Sequence, residues 1–374
     1  MPSNKKKVLF TSHTANFQKF NRPFMRMLRE QGYEVHYASM GEEHIEDCDK
    51  QFVVPFTRSP FTLSNIRAYR QLKEIIDREQ YDLIHTHTPV GSVVTRLAAR
   101  QARQRGTRVI YTAHGFHFFK GAPLLNWLVY YPIERLMAHY TDVLITINAE
   151  DYARANRHFA TSVVYVPGVG VDPKRFDITI NKDLRRAIRV ELGIKPNDFV
   201  IIYVAELSKR KNQSWLLSAL KTTLQQDASM HLLLVGADSM QGRIHKQSVR
   251  YGIQSQVHFL GYRKDIPELL QASDLYVSTS KQEGLPVNIL EAMMGRMPIV
   301  ALECRGVAEL LSLVGATPAR DMQTFRAAVQ RHKKHRRSLR HEKDAIQSAL
   351  SRYTTPNIMK NMRQLYEYEG EAAQ

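Results

Sequence analysis

Short β-branched stretches alternate with longer helical stretches along almost the whole chain of 374 residues. KVLFTS and YEVHYA are two such strand-like stretches, and residues 17–31 between them have a helical pattern. This alternation is typical of parallel strands joined by crossover helices. The sequence therefore predicts an α/β protein with doubly wound parallel sheets.

The alternation pauses near the midpoint of the chain, at GVGVDPKRF (residues 168–176). A stretch containing Gly and Pro at this place is a natural boundary between domains. We therefore predict two Rossmann-like domains, residues 1–172 and 173–353, and a C-terminal helix within 354–374 that packs back on the first domain. Ligands of such sheets bind beyond the carboxyl ends of the strands, so two facing sheets would form a central cleft.

The chain carries a large positive charge, +17 from 53 basic and 36 acidic residues. Such a surface attracts phosphate, whether in nucleic acid, anionic lipid or a nucleotide. The charge is densest at RHKKHRRSLRHEK (residues 331–343), a run that is typical of a solvated helix face. Charge alone leaves all three classes of partner open.

Signals for export or for spanning a membrane are not apparent in the sequence. The amino-terminal MPSNKKKVLF passes directly into a strand-like run without a signal-peptide core. No apolar run approaches the roughly 20 residues of a membrane span. Cys48 and Cys304 are the only cysteines, too few for a disulfide framework or a cysteine metal site. These features favour a cytoplasmic setting.

Two carboxylates flank a Gly-Leu-Pro turn in STSKQEGLPVNILEAMMGR (residues 278–296), namely Glu283 and Glu291. Pro286 suits the first turn of a helix and Gly295 suits its end. The intervening VNILEAMM is apolar on nearly every side, and such a helix is normally buried. A buried carboxylate is costly unless it finds hydrogen-bond donors, so Glu291 needs a partner such as a ribose hydroxyl.

Positive charge is expected beside this turn. ELSKRKNQ (residues 206–213) follows a predicted strand and places three cations before a helix that begins near Asn212. A helix amino terminus with adjacent lysines is a good anion site, and Lys211 is the nearest candidate for a phosphate contact. The amides of Gly284 and Leu285 offer a second cradle for negative charge. The alternative is that all three cations are ordinary surface charges.

Histidines follow two strands of the first domain. YTAHGFHFF places His114 and His117 just beyond a strand, where His114 can meet substrate and His117, within an aromatic stretch, is more typical of packing. The alternate spacing of His85 and His87 directs both side chains to one face of a strand. Zinc is conceivable there, but no third or fourth ligand is apparent.

The stretch GAPLLNWLVYYPIERLMAHY (residues 121–140) carries Trp127, Tyr130 and Tyr131 among aliphatic residues. It is too short and too interrupted to span a bilayer. Two interpretations remain open. The rings are either buried within the first domain or docked at the headgroups of an anionic membrane.

These motifs together resemble the family 4 glycosyltransferases of the GT-B fold, and most of all the EpsD-type bacterial enzymes of exopolysaccharide and capsule assembly. The resemblance covers nearly the whole chain. It is carried by DLIHTHTPVGSVVTRLAAR, YTAHGFHFF, VPGVGVDPKRF and VHFLGYRKDIPELLQASDLYVSTSKQEGLPVNILEAMMGRMPIV.

The resemblance implies a role for each matched residue. By analogy, Glu283 contacts the donor sugar and Glu291 binds the ribose of the nucleotide. Lys211 would grip the diphosphate, His114 would lie beside the transferred sugar, and the loop that contains Arg263 would touch the base.

The sequence departs from the family pattern at two places. Many relatives have Gly-Arg-Leu where this chain has Ala205, Glu206 and Leu207, so one diphosphate cation is absent, and Arg210 or Lys209 is the expected substitute. After ECRGVAELL, the usual glycine-rich turn and strand are shortened to SLVGATPARD.

The resemblance implies a retaining transferase that moves a hexose or N-acetylhexosamine from a UDP-sugar to a lipid-linked, polyprenyl diphosphate acceptor at an anionic cytoplasmic membrane face. No metal is expected, because the Asp-X-Asp pair of Asp47 and Asp49 lies in an acidic loop of the first domain. The alternatives are a sugar-phosphate synthase with a soluble acceptor, a catalytically inactive binding module and a nucleic-acid-binding protein.

The candidate site residues fall into three groups. The catalytic candidates are His114 and Glu283. The donor-binding candidates are Lys211, Arg210, Glu206, Arg263, Gly284, Leu285 and Glu291. The acceptor-side candidates are His13, Asn16, His87 and His117.

Overall fold

A computed structural model describes residues 5–59, 62–176, 181–335 and 343–367, without the side chains of 343–346. The chain divides into two compact units, Met1–Val169 with Pro356–Gln374, and Gly170–Thr355. Each unit is built on one parallel sheet with helices between successive strands, except between β2 and β3, which a loop connects. The predicted α/β fold is therefore confirmed.

The first unit contains a seven-stranded sheet in the order β3-β2-β1-β4-β5-β6-β7. The edge strand β3 was not predicted, because its four residues are polar or half exposed and give no β-branched run. The strands are β1 Lys7–Thr14, β2 Glu34–Met40, β3 Lys50–Val53, β4 Leu83–His87, β5 Arg108–Ala113, β6 Val143–Thr146 and β7 Ser162–Tyr165.

Crossover helices connect most of these strands. Short 3-10 turns occur at Ala15–Phe17 and at Ser351–Tyr353. Of these helices, α3 is apolar and mostly buried, as befits a helix that packs on β1 and β4. The helices are α1 Gln18–Glu30, α2 Leu63–Glu79, α3 Pro89–Ala98, α4 Arg100–Gln104, α5 Leu124–Ala138 and α6 Ala149–His158.

The second unit contains a five-stranded sheet in the order β10-β9-β8-β11-β12. Its strands are β8 Phe199–Val204, β9 Met230–Val235, β10 Val257–Gly261, β11 Leu275–Ser278 and β12 Ile299–Ala301. Its helices are α7 Pro173–Phe176, α8 Lys182–Glu191, α9 Gln213–Gln226, α10 Arg243–Arg250, α11 Ile266–Ala272, α12 Val287–Met294, α13 Val307–Ser312, α14 Met322–Lys334 and α15 Lys343–Leu350.

The shortened segment after α13 still reaches the sheet. A single parallel bridge joins Leu302 to Ala319, and the Ala319 amide donates to the Ala301 carbonyl at 2.8 Å. The expected extra strand is thus reduced to one residue beside β12, which leaves the described sheet at five strands.

The last helix, α16 (Thr355–Glu367), packs on the first unit. Ile358, Met362 and Leu365 belong to the same buried cluster as side chains of β1 and α1. The hydroxyl of Tyr366 lies 2.7 Å from Nδ1 of His85. Apolar burial and a buried hydrogen bond therefore both fix this helix to the sheet.

A buried ion pair joins α3 to α5. Arg96 Nη2 donates to Glu134 Oε2 at 2.9 Å, and the two side chains are 1% and 8% exposed. The guanidinium carbon of Arg96 also lies 4.2 Å from the ring centre of Tyr111, whose hydroxyl donates to Glu134 Oε1. Because both charges are compensated within the core, the pair holds the two helices at a fixed separation.

The structure shows how the rings of the aromatic stretch pack within the first unit. Trp127 and Tyr131 are half buried, with ring centres 5.7 and 5.3 Å from that of Phe118, and Tyr130 packs on the same cluster. This packing is in line with the burial interpretation, and docking of the rings at a membrane stays a prediction. The large apolar side chains exposed on α5 are Leu124, Leu125, Leu128 and Leu136.

No helix among the described residues is both long and apolar enough to cross a membrane. Residues 331–334 of the basic run end α14. Residues 336–342 lie outside the described residues. Most of the solvated helix that the sequence predicts for residues 331–343 therefore stays a prediction.

Candidate active site

The second unit brings two charged loops together. Strands β8 and β11 are neighbours in the sheet, so ELSKRKNQ after β8 and KQEGLP after β11 leave the same edge. Lys211 Nζ lies 2.5 Å from Glu283 Oε1, and Arg210 Nη1 lies 3.1 Å from Glu283 Oε2. The topology of the sheet therefore creates a cluster from residues more than 70 positions apart.

This cluster is partly buried and polar. The side chains of Glu283 and Lys211 are 7% and 12% exposed, whereas that of Arg210 is 52% exposed. The Lys211 carbonyl also accepts a hydrogen bond from the Tyr203 hydroxyl at 2.9 Å, which fixes the loop. Arg210 is therefore open to solvent, whereas Lys211 is held against Glu283 at the inner side of the cluster.

The occupied carboxylate of Glu283 was not expected from the sequence. Each of its oxygens accepts a hydrogen bond from a cation, which uses part of the capacity of the carboxylate to accept from a sugar hydroxyl. Arg305, which the sequence analysis missed, donates to the Glu283 carbonyl at 3.3 Å. Its position after β12 is the only sequence signal that could have pointed to it, because β12 pairs with β11.

Backbone amides add to the positive character of the site. Within the described ranges, no acceptor binds the amides of Gly284 and Leu285, which precede the buried helix α12. Gly306 packs against this turn so closely that a Cβ atom there would lie 2.5 Å from the Gly284 carbonyl oxygen. The turn is therefore fixed with two amides available to an anion.

Glu291 lies about one turn into α12 and is half buried. Burial raises the pKa of its carboxyl to about 7, and the positive charge of Arg175 opposes this shift. No hydrogen bond from another described residue reaches the carboxylate, while the neighbouring Asn288 is occupied by the Val204 carbonyl. The hydrogen-bond donor that the sequence predicts for the Glu291 carboxylate is therefore not found among the described residues.

We expect Glu291→Gln to stabilise the protein at pH 8 by about 2 kcal/mol and to have little effect at pH 5. The carboxyl titrates near 4.5 when unfolded and near 7 when folded, so its contribution is fully present below pH 4.5 and is lost as the pH rises through 7. Urea unfolding at both pH values checks this, and an equal effect at the two values would contradict it.

Histidines gather at one edge of the first sheet. Strands β1, β4 and β5 are neighbours, and His13, His87 and His114 lie at or beyond their carboxyl ends. His87 Nδ1 lies 3.1 Å from His114 Nε2, and Arg58 Nε donates to His13 Nε2 at 2.8 Å. Three of the predicted site histidines are therefore close to one another in the fold.

These histidines are neutral at pH 7. Burial lowers the pKa of His114 to about 4, and lowers that of His87 and His13 as well. Nε2 of His87 and Nδ1 of His13 are buried and have no hydrogen-bond partner among the described residues. Unpaired buried nitrogens of this kind suit the hydroxyl groups of a bound ligand.

The comparisons with known proteins identify the family. Residues 7–148 match the family described as glycosyl transferase 4-like, and residues 185–340 match the glycosyl transferases group 1. EpsD of Bacillus subtilis (strain 168) is 41% identical over 309 residues, which are 82% of this chain and 81% of that protein. The chain belongs to the EpsD-type GT-B glycosyltransferases. The family expectation from the sequence is thereby confirmed.

This glycosyltransferase is also similar to a second bacterial enzyme and to a solved structure. UDP-Gal:alpha-D-GlcNAc-diphosphoundecaprenol alpha-1,3-galactosyltransferase of Escherichia coli is 29% identical over 271 residues, covering 71% of this chain and 69% of that protein. The crystal structure of HepE from Anabaena, in complex with UDP and glucose, has a TM-score of 0.75 at 20% identity, covering 96% of this chain and 99% of that one. The latter supports the fold.

Other donor-side candidates of the glycosyltransferase lie apart from the Lys211–Glu283 cluster. Glu206 accepts a hydrogen bond from the Ser239 hydroxyl. Arg263 binds both oxygens of Asp265, with its Nε at 2.8 Å from Oδ1. Neither side chain bonds to the cluster among the described contacts, and their roles in donor binding stay predictions.

The remaining first-unit candidates have local roles. His117 stacks on Tyr130 with ring centres 4.6 Å apart, in line with the packing alternative, and Asn16 is exposed in a 3-10 turn. His85, with its ring centre 4.2 Å from that of His87, has both nitrogens bonded to the hydroxyls of Tyr366 and Thr112. His85 therefore has no nitrogen left for a metal.

Proposed function

We propose that this glycosyltransferase transfers a hexose or N-acetylhexosamine, with retention, from a UDP-sugar to a lipid-linked polyprenyl diphosphate acceptor. The cluster of Lys211, Arg210 and Glu283 beside two free amides is the observation that carries the proposal. Two similar proteins support it, because HepE was solved with UDP and glucose and the Escherichia coli enzyme is named for a UDP-Gal donor and a diphosphoundecaprenol acceptor.

The donor diphosphate would bind at the positive edge of the second sheet. Lys211 precedes Asn212, the N-cap residue of α9, and the free amides precede α12, so two helix amino termini and a cation would act on one anion. As the bond from sugar to UDP breaks, negative charge grows on the diphosphate, and these fixed groups stabilise it. When the donor phosphate binds Lys211, Glu283 Oε1 loses its bond to that lysine and can accept a hydrogen bond from a sugar hydroxyl.

The ribose would complete the hydrogen bonding of Glu291. Its half-buried carboxylate lacks a donor among the described residues, and two vicinal hydroxyls can donate to it. In the first unit, the neutral pair His87 and His114 and the free nitrogen of His13 would orient acceptor and sugar hydroxyls.

A panel of nucleotides and nucleotide sugars tests the donor assignment. A ligand that binds only the native state raises the melting temperature, so UDP and UDP-sugars should raise it more than ADP, GDP and CDP. Glu291→Ala should remove most of the UDP effect and keep the fold. An identical response to all four nucleoside diphosphates would reject UDP as the donor nucleotide.

We also propose peripheral docking on anionic membranes, now through Leu124, Leu125 and Leu128, which are 80%, 68% and 75% exposed. Leu124→Asp with Leu128→Asp should lower binding to anionic vesicles at least about tenfold, since burial of one leucine side chain is worth about 1.5–3 kcal/mol. Sedimentation measures the bound fraction, which should also fall with salt. Val190→Asp, at an equally exposed site of the second unit, is the control. Equal pelleting with neutral and anionic vesicles would argue against docking.

Transfer is proposed to need no metal ion, so activity should be unchanged in excess EDTA. Lys211 and the helix amino termini supply the charge that a divalent ion would otherwise bring to the diphosphate. Asp47 pairs with Arg22 and Arg26, and Asp49 binds Arg29, so the Asp-X-Asp pair has a structural role. Asp47→Ala with Asp49→Ala should retain near-normal activity. Loss of turnover in chelator, restored by magnesium or manganese, would overturn the proposal.

A further inference from the structure

An open apolar groove lies within the first unit, between α2, α3 and α5. Its volume is about 470 Å³. Most of its lining is aliphatic, from Leu63, Ile66, Val90, Val93, Leu97 and Ile133. Clefts of this size and composition are typical of small-ligand sites.

The groove is open to solvent, and a buried ion pair fixes the helices that form its walls. Leu63 and Ile66 are 77% and 49% exposed, so apolar surface faces water in the absence of a ligand. The buried pair of Arg96 and Glu134 holds α3 and α5 apart and leaves Glu134 satisfied at the floor. The groove is therefore a fixed feature that offers apolar contact and no unpaired buried charge.

One end of the groove adjoins the histidines described above. Pro89 and Val90 line it, and they directly follow His87 and Thr88. Thr88 has a φ of 67°, a conformation rare for a β-branched residue, and its hydroxyl accepts from the His13 amide at 3.2 Å. A ligand in the groove can therefore reach the polar edge of the sheet with its other end.

The charges around the groove favour an anionic ligand. Arg58, bonded to His13, is exposed at the histidine end. Arg67 and Arg70 are exposed on α2, four residues after Leu63 and Ile66 respectively, and so lie on the same helix face. An apolar chain attached to a phosphate group matches this combination of aliphatic walls and guanidinium groups.

We propose that this groove binds the isoprenoid chain of the polyprenyl diphosphate acceptor, with the diphosphate beside Arg58 and His13. The inference rests on the proposed function and adds a site for the lipid tail. A cavity of about 150 Å³ holds a benzene ring, so the groove has room for roughly three five-carbon units. The enzyme then recognises the first units of the lipid as well as the sugar.

Binding of two prenyl diphosphates tests this. With saturating UDP present to fill the nucleotide site, calorimetry should show farnesyl diphosphate binding at least about tenfold more tightly than dimethylallyl diphosphate, since the longer chain buries more apolar surface. Ile66→Asp should remove this preference for the longer chain. Val93→Asp, a second variant inside the groove, should remove it as well. Leu136→Asp, at an exposed site of α5 outside the groove and outside the proposed docking surface, is the control that should keep it.

Several results would overturn the proposal. Equal affinity for the two chain lengths, or a preference that survives Ile66→Asp in a folded protein, would remove the tail from the groove. If dodecyl phosphate bound as tightly as farnesyl diphosphate, the groove would be a site for unbranched lipid chains and not a site for prenyl chains. Loss of the preference in Leu136→Asp would mean that the preference comes from exposed apolar surface in general and not from the groove. A failure of UDP to bind would count against the donor assignment alone, because prenyl binding is measured separately.

Discussion

Lys211→Ala is expected to lower kcat/KM for sugar transfer by about 100- to 1,000-fold, the usual effect of removing one fixed donor from a developing oxyanion. Lys211 is the cation next to the amino terminus of α9 and is bonded to Glu283 at 2.5 Å. Its removal takes a charge from the diphosphate and leaves the buried carboxylate with Arg210 alone. Release of UDP in the presence of acceptor measures the effect.

Lys209→Ala is the matched control for this prediction. Lys209 is an exposed cation of the same loop. Of the two expected substitutes for the missing diphosphate cation, Arg210 bonds to Glu283, and no described contact brings Lys209 to the cluster. Lys209→Ala should lose less than about threefold, because an exposed charge acts through solvent. If the two variants were equally active, the alternative that these cations are surface charges would be correct, and the proposed diphosphate site would be wrong.

Arg96→Met is expected to lower the free energy of unfolding of the first unit by about 3–5 kcal/mol, because it leaves the buried carboxylate of Glu134 without its counter-charge. The unit can be observed by itself. The chain has two tryptophans, Trp127 and Trp215, so Trp127 fluorescence in a Trp215→Phe background reports urea unfolding of the first unit.

The double variant Arg96→Met with Glu134→Leu should recover most of this loss, since removing both charges leaves none unpaired. Lys73→Ala, which breaks the surface pair with Asp77, should cost less than about 1 kcal/mol. A similar small cost for Arg96→Met would mean that the ion pair does not fix α3 to α5, and the support for the groove would be lost.

The fold could be predicted from the sequence because it rests on local periodicity. The buried strand β8 is an unbroken apolar run, and β9 is apolar except for His231, whereas β3, with four polar or half-exposed residues, gave no signal. The sequence could not decide whether Trp127 and Tyr131 pack on the core or dock at a membrane, because an aromatic helix face has the same pattern in both cases.

The site could be predicted in part for the same physical reason. Loops after neighbouring parallel strands meet at one edge, so Lys211 and Glu283 were expected near each other, but their direct ion pair depends on side-chain positions that no spacing encodes. Arg175, the positive charge that acts on Glu291, lies 116 positions earlier in the chain, and the groove is formed by three separate helices. Such long-range proximity appears only in the folded chain.

Transfer of label into lipid tests the central claim most directly. The enzyme is incubated with UDP-[14C]hexoses and UDP-[14C]N-acetylhexosamines and a membrane lipid extract of the source strain. We predict that label from one donor enters the butanol-extractable fraction with the wild type, and does so far more slowly with Lys211→Ala. Label that moves only into a water-soluble product, or that enters lipid equally well with Lys211→Ala, would contradict the account.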